Sequence, residues 1–225
     1  MTTEKSDDLR KWRLPRGRHG LPREMVVRSQ RERLLAAVVR VSAERGYEAT
    51  SVADILEEAG VGRESFYELF SDKRDCLLAA QALLVDHLEA TVRSAYEEPG
   101  PWAARMRNSI AAMLGWFASD PAAARVTMVE LAGVGTVSRE RFQENYLRFT
   151  KLLEDGRGGV DAARPRACEL AVGAGVAKVY EEVVCGRTAG LPGLLPELTY
   201  ELLVPFVGEE AARAEQGRAA ATIAA

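Results

Sequence analysis

The chain has 225 residues, 47% apolar and 28% charged, so it is long enough to bury a substantial core, and two parts, one small and one large, are expected. Three dispersed cysteines (Cys76, Cys168, Cys185) with no CxxC pair and two isolated histidines (His19, His87) offer neither a disulfide framework nor metal-ligand spacing, so no metal and no cofactor are expected and the compartment reads as cytoplasmic. No apolar run reaches membrane-spanning length and the first twenty residues are polar, so neither membrane insertion nor a secretory leader is expected. Net charge is −3, but residues 1–33 hold ten Lys/Arg against five acids, net +5, leaving −8 for the remainder. That asymmetry points the N-terminal part toward an anion, with a solvated leader over residues 1–20 as the alternative.

From about Ser29, apolar residues recur at three-to-four spacing (Leu34/Leu35, Val38/Val39, Val41), which predicts a helix with Ser29 and Glu32 as a capping box and Gly46 just past its end. "TSVADILEEAGV" predicts a second, short helix, with Ser51 and Asp54 at capping-box spacing and Gly60 ending it. In "GRESFYELF" Phe66, Leu69 and Phe70 fall at i, i+3, i+4 and point inward, leaving Arg63, Glu64, Ser65, Tyr67 and Glu68 outward or sideways. "SDK" restarts a helix capped by Ser71 or Asp72, whose series Leu77, Ala80, Leu84, Leu88 runs to about Tyr96; three short helices thus feed a long one. Residues 101–118, 121–134, 138–155, 164–186 and 195–214 read as further helices, with no alternating β-branched run, so the fold class is all-α.

A helix, a tight Gly-containing turn and a two-turn amphipathic helix form the geometry that seats a helix in the major groove, although small helical bundles contain such corners too. The surrounding chemistry favours DNA. Arg63 and Ser65 sit on the first turn of the third helix, where side chains reach base edges; Tyr67 has a hydroxyl for a phosphate, and Lys73 puts a cation at the next helix start.

Residues 31–77, "RERLLAAVVRVSAERGYEATSVADILEEAGVGRESFYELFSDKRDCL", resemble the N-terminal signature of the TetR family of bacterial transcriptional regulators. The Gly-Tyr turn, Thr-Ser-Val-x-Asp-Ile, Ala-Gly-Val, the Phe-Tyr-x-x-Phe frame and Lys73 follow in family order. The resemblance implies a three-helix helix-turn-helix DNA-binding head followed by a larger helical domain for effector binding and dimerisation. It implies an arm over 1–24, a head over 25–71 and a larger domain over 72–225. It also implies phosphate contacts by Ser51, Tyr67 and Lys73, with Arg63, Glu64, Ser65 and Glu68 facing bases or backbone. "LLVPFVGEEA", including Pro205, resembles the final helix of many such proteins. Two features depart from the pattern: Gly62 replaces the usual Ser before the third helix, and Glu64 and Glu68 lie one turn apart on a helix meant for a polyanion. Either the carboxylates accept from cytosine N4 or Glu64 pairs with Arg63 or an arm arginine; both readings stand.

Arg13, Arg16 and Arg18, around Pro15 and Gly17, suit an arm reaching into the minor groove. "GAGVAK" fails phosphate-loop spacing, so Gly173, Ala174, Gly175 and Ala177 read as close helix packing. With Val179, Val183, Leu198, Leu202 and Phe206, Gly173 and Gly175 form the expected dimer interface, with burial inside one chain as the competing explanation. Met106, Ile110, Met113, Trp116, Phe117, Met128, Leu131, Phe142, Tyr146 and Phe149 make a Met- and aromatic-rich set, core in the main, with a subset expected to line an apolar pocket anchored by Glu130, Asn145 or Tyr180. No HExxH, GxSxG or strand-linked GxGxxG is present, and Glu57/Glu58 and Glu181/Glu182 are solvated neighbours, so no catalytic residues are assigned. The expected partners are double-stranded DNA with a palindromic operator, a small-molecule effector and a second copy of the chain, without a membrane. The expected function is a homodimeric repressor released by its effector; the alternative is a helical binding module whose head no longer holds DNA.

Overall fold

The computed structural model describes residues 22–129 and 165–224, excluding the side chains of 165–169 and 171. Helices α1 (Arg23–Arg45), α2 (Val52–Ala59) and α3 (Arg63–Leu69) are followed by the long α4 (Lys73–Tyr96), then α5 (Trp102–Ser119) and α6 (Pro121–Met128). After the undescribed stretch come α7 (Pro165–Val184), a 3₁₀ turn (Thr188–Leu194), α8 (Leu195–Val207) and α9 (Glu209–Ala224). The architecture is all-α, a helix-turn-helix head followed by a larger helical part. The helices expected over 138–155, and over 121–134 beyond Val129, lie outside the described residues.

Two expected boundaries are corrected. Helix α1 starts six residues before Ser29, with Pro22 as its N-cap, its carbonyl accepting from Met25 and Val26, and Glu24 in the first turn beside the positive helix end. Ser29 and Glu32 are therefore inside the helix and form no cap; Glu32 instead pairs with Arg28 at 3.0 Å. The segment 195–214 is two helices, because Gly208 takes φ 79°, a conformation open to glycine, and α9 then runs on to Ala224. Pro205 is accommodated in the last turn of α8.

The head core joins Leu34 and Val38 of α1, Ile55 and Ala59 of α2, Phe66 and Phe70 around α3, Cys76, Leu77 and Ala80 of α4, and Val126 of α6. Packing therefore continues through the division expected between residues 71 and 72: the first two turns of α4 belong to the head's core as well as to the long helix. A second cluster unites Leu88 and Val92 with Ile110, Leu114, Phe117, Val179, Val183 and Leu198; a third unites Tyr96, Met106, Leu203, Phe206 and Ala212. Helix α9 is tied to α5 by a largely buried ion pair, Arg107 to Glu215 at 2.7 Å, and Arg218 contacts the same carboxylate. None of the helices among the described residues is long and apolar enough to cross a membrane.

Candidate DNA-binding interface

The turn between α2 and α3 follows from Gly60, whose left-handed φ of 60° ends α2 and lets Val61 turn back to donate to Leu56. Arg33 of α1 reaches across the turn, its Nη1 donating to the carbonyls of Ala59 (3.3 Å) and Gly60 (3.4 Å), where a cation complements the C-terminal end of α2. Arg40 of α1 likewise pairs with Glu58 of α2 at 2.7 Å. At the other end of α2, Ser51 and Asp54 form the expected capping box: Ser51 Oγ accepts from the Asp54 amide at 3.2 Å and donates to Asp54 Oδ2 at 2.6 Å. Those hydrogen bonds, with Arg45 at 2.7 Å, hold the Asp54 carboxyl below its ordinary range.

Helix α3 has only seven residues, and Gly62 supplies no side-chain cap. It is seated by Phe66, fully buried and in edge contact with Tyr67 and tilted contact with Phe70. With Phe66 inward, Arg63, Glu64, Tyr67 and Glu68 are exposed, Tyr67 by 51%. Ser65 is half-buried beside α1, where Gln30 Nε2 donates to its Oγ at 3.3 Å. Among the described residues neither Glu64 nor Glu68 has an ion-pair partner, so the expected pairing of Glu64 with Arg63 is not formed; Arg13, Arg16 and Arg18 lie outside them.

Lys73 differs from its expected place. Its Nζ donates to the carbonyls of Tyr47 (3.0 Å), Glu48 (3.3 Å) and Thr50 (2.8 Å) and lies 4.4 Å from the centre of the Tyr47 ring. Both Lys73 and Ser51 thus organise the loop before α2, and a phosphate there would meet the charge of Lys73 without a free N–H. The pattern is general: Arg28, Arg40 and Arg45 are in ion pairs, Arg33 serves carbonyls and Arg31 lies 5.7 Å over the Phe70 ring. Over residues 22–75 nine Lys/Arg face eleven Asp/Glu, so the folded head is slightly acidic.

In the larger part, Met106, Ile110 and Phe117 are buried in two separate clusters, while Met113, Trp116 and Met128 are half-buried beside one of them; they do not form a single lining. Tyr180 is exposed, and Glu130, Leu131, Phe142, Asn145, Tyr146 and Phe149 lie outside the described residues. Of the expected interface, Val179, Val183, Leu198 and Phe206 are buried within one chain, so the competing explanation holds for them; Leu202 is half-buried, and a Cβ at Gly175 would lie 3.5 Å from Leu198 Cδ2. Gly173 faces open space. It shares one stripe of α7 with Leu170, Ala174, Ala177 and Val184, all exposed, Leu170 by 73%. The residues that sequence reasoning missed, Gln30, Arg33 and Glu215, act across 26 to 108 positions, and no local pattern marks such pairs.

A model of bacterial regulatory proteins of the tetR family matches residues 34–80, the stretch from the middle of α1 to the start of α4. The HTH-type transcriptional activator FasR of Mycolicibacterium smegmatis is 32% identical over 100 residues, 44% of each protein. The chain spans about a third to a half of the length of the curated relatives it matches. Among solved structures, the fatty acid degradation regulator FadR of Bacillus halodurans superposes with a TM-score of 0.69 at 23% identity, covering 77% of this chain and 94% of that one. FadR of Bacillus subtilis, solved in complex with stearoyl-CoA, superposes with a TM-score of 0.68 at 20% identity, covering 79% and 98%. The matched stretch is thus a head of the tetR family of bacterial regulatory proteins, and the chain shares the fold of the two FadR regulators.

Proposed function

We propose that the chain is a homodimeric repressor that binds an inverted-repeat operator and leaves it when a small apolar effector occupies the larger domain. The observation that carries this reading is the outward face of α3: Arg63, Glu64, Tyr67 and Glu68 all project from a helix whose opposite side is locked by a fully buried Phe66. Hydrogen-bonding side chains on the first turns of a recognition helix are what base edges and phosphates require. Tyr67 donates to a phosphate; Arg63, Glu64 and Glu68 face bases, with a carboxylate accepting from cytosine N4. Arg13, Arg16 and Arg18 supply the minor-groove arm. The exposed stripe Leu170, Gly173, Ala174, Ala177 and Val184 is the surface offered to a second copy.

The sign and the ligand follow more coarsely. FasR is an HTH-type transcriptional activator and FadR of Bacillus subtilis was solved with stearoyl-CoA, so activation and a long apolar ligand exist among similar proteins. Only three residues, Phe70 to Asp72, separate α3 from α4, so a tilt of α4 in the larger domain moves the recognition helix with it. Two half-sites lie about 34 Å or a multiple apart, and a small change of head separation loses the match.

The acidic charge balance of the head favours a second reading, a helical small-molecule- or protein-binding module. Capture of sheared genomic DNA from the source organism by the purified protein, near physiological salt and followed by sequencing, separates the two. A short enriched inverted repeat supports the regulator, whereas recovery no better than background supports the module.

A further inference from the structure

Gln30 lies on α1, outside the helix-turn-helix corner, yet it is the one side chain from another helix that hydrogen-bonds a residue of α3 among the bonds described. A serine hydroxyl has one proton to donate and two lone pairs to accept with, so on its own it is indifferent between donor and acceptor partners. Gln30 biases that choice. Its Nε2–H occupies one of the two lone pairs of Ser65 Oγ at 3.3 Å, so the hydroxyl keeps its proton and a single lone pair for other partners. Ser65 is the third residue of α3, on the first turn, where recognition helices meet base edges.

We infer that Gln30 is a specificity-positioning residue: by donating to Ser65 it takes up one lone pair and turns that hydroxyl toward donation, so that Ser65 favours a base presenting an acceptor in the major groove. Guanine O6 and N7, adenine N7 and thymine O4 are such acceptors; cytosine presents the N4 donor and no acceptor, and is disfavoured there. The inference rests on the reading of α3 as a DNA-recognition helix. Gln30 itself touches no DNA in it.

Substitution can reverse the polarity. In Gln30→Glu the introduced carboxylate, nearly the same shape, can only accept at neutral pH, so the Ser65 proton turns toward α1 and lone pairs face outward. In Gln30→Leu the hydroxyl is released to rotate. Full-length wild-type, Gln30→Glu, Gln30→Leu and Ser65→Ala proteins should each be put through selection from a random duplex library, with thermal melting to verify that each is folded. The expected result is one operator position at which wild type disfavours cytosine by roughly two- to ten-fold, the worth of one hydrogen bond. That bias should reverse toward cytosine in Gln30→Glu and flatten in Gln30→Leu and Ser65→Ala. A role confined to holding α3 in place would instead lower affinity at all positions alike. Enrichment of one motif with unchanged base preferences in the Gln30 variants overturns the inference and leaves the regulator reading intact; absence of any enriched motif for wild type overturns both.

Discussion

An ammonium group has three protons, and those of Lys73 are directed at the carbonyls of Tyr47, Glu48 and Thr50, which turns a candidate phosphate contact into a brace for the loop before α2. Lys73→Met keeps much of the aliphatic stem and leaves those carbonyls without their donor, and should cost about 1–3 kcal/mol in urea unfolding. An exposed lysine with only a phosphate to meet would cost far less. Tyr67 is the opposite case: its hydroxyl lies on an exposed face, so Tyr67→Phe should leave the unfolding midpoint unchanged while weakening operator binding roughly two- to ten-fold, read by fluorescence anisotropy. Cys76 offers a chemical test of the head core. Burial pushes its thiol up to about 12, so alkylation of the native protein at mildly alkaline pH should spare Cys76 and modify the exposed Cys185, with Cys76 reacting only on unfolding.

At the level of the helices, the capping box of α2 makes the head sensitive to acid in a defined direction. The Asp54 carboxyl, held down first by its hydrogen bonds to Ser51, stabilises the fold fully above its ordinary value of 3.8; that contribution fades as pH falls below 3.8 through the lower folded value. Asp54→Asn should therefore flatten the acid limb of a melting-temperature profile, and Ser51→Ala should cost about 1 kcal/mol at neutral pH. This cap was legible in the sequence because Ser-x-x-Asp is a local pattern, as were Gly60 ending α2, the inward Phe66 and Phe70, and α4 from Lys73 to Tyr96. The N-terminal start of α1 was not. A serine and a glutamate three apart also occur inside helices, and only the Pro22 carbonyl and the Arg28–Glu32 pair show which case applies. The roles of Gln30 and Arg33 were equally out of reach, since a polar residue on a helix does not announce which neighbour it will meet. Val179, Val183, Leu198 and Phe206 illustrate a different limit: an apolar stripe states that it must be covered, and packing decides by what.

For the molecule as a whole, the C-terminal helix depends on a charge pair that water scarcely reaches, since the side chains of Arg107 and Glu215 are 17% and 7% exposed. Glu215→Ala leaves the largely buried Arg107 without its carboxylate and should destabilise the protein by about 3–5 kcal/mol, with α9 becoming an early target in limited proteolysis. Replacing Arg107 and Glu215 together by methionine should cost clearly less than the sum of the single changes. Long-range attraction to DNA is divided unevenly along the chain: residues 1–21 hold six Lys/Arg and three acids, whereas the folded head has acids in excess. Replacing Arg13, Arg16 and Arg18 by alanine should lower the slope of log affinity against log salt by roughly 2 to 3, measurable on one operator duplex. A chromosome presents millions of wrong sites for every right one, and regulators with cationic heads spend most of their lives parked on them. With acids in excess and most of its arginines engaged in ion pairs, on carbonyls or over an aromatic ring, this head has little hold on arbitrary duplex. It would slide over short tracts, detach often and search largely through free solution, so that few copies per cell are sequestered before the operator is found.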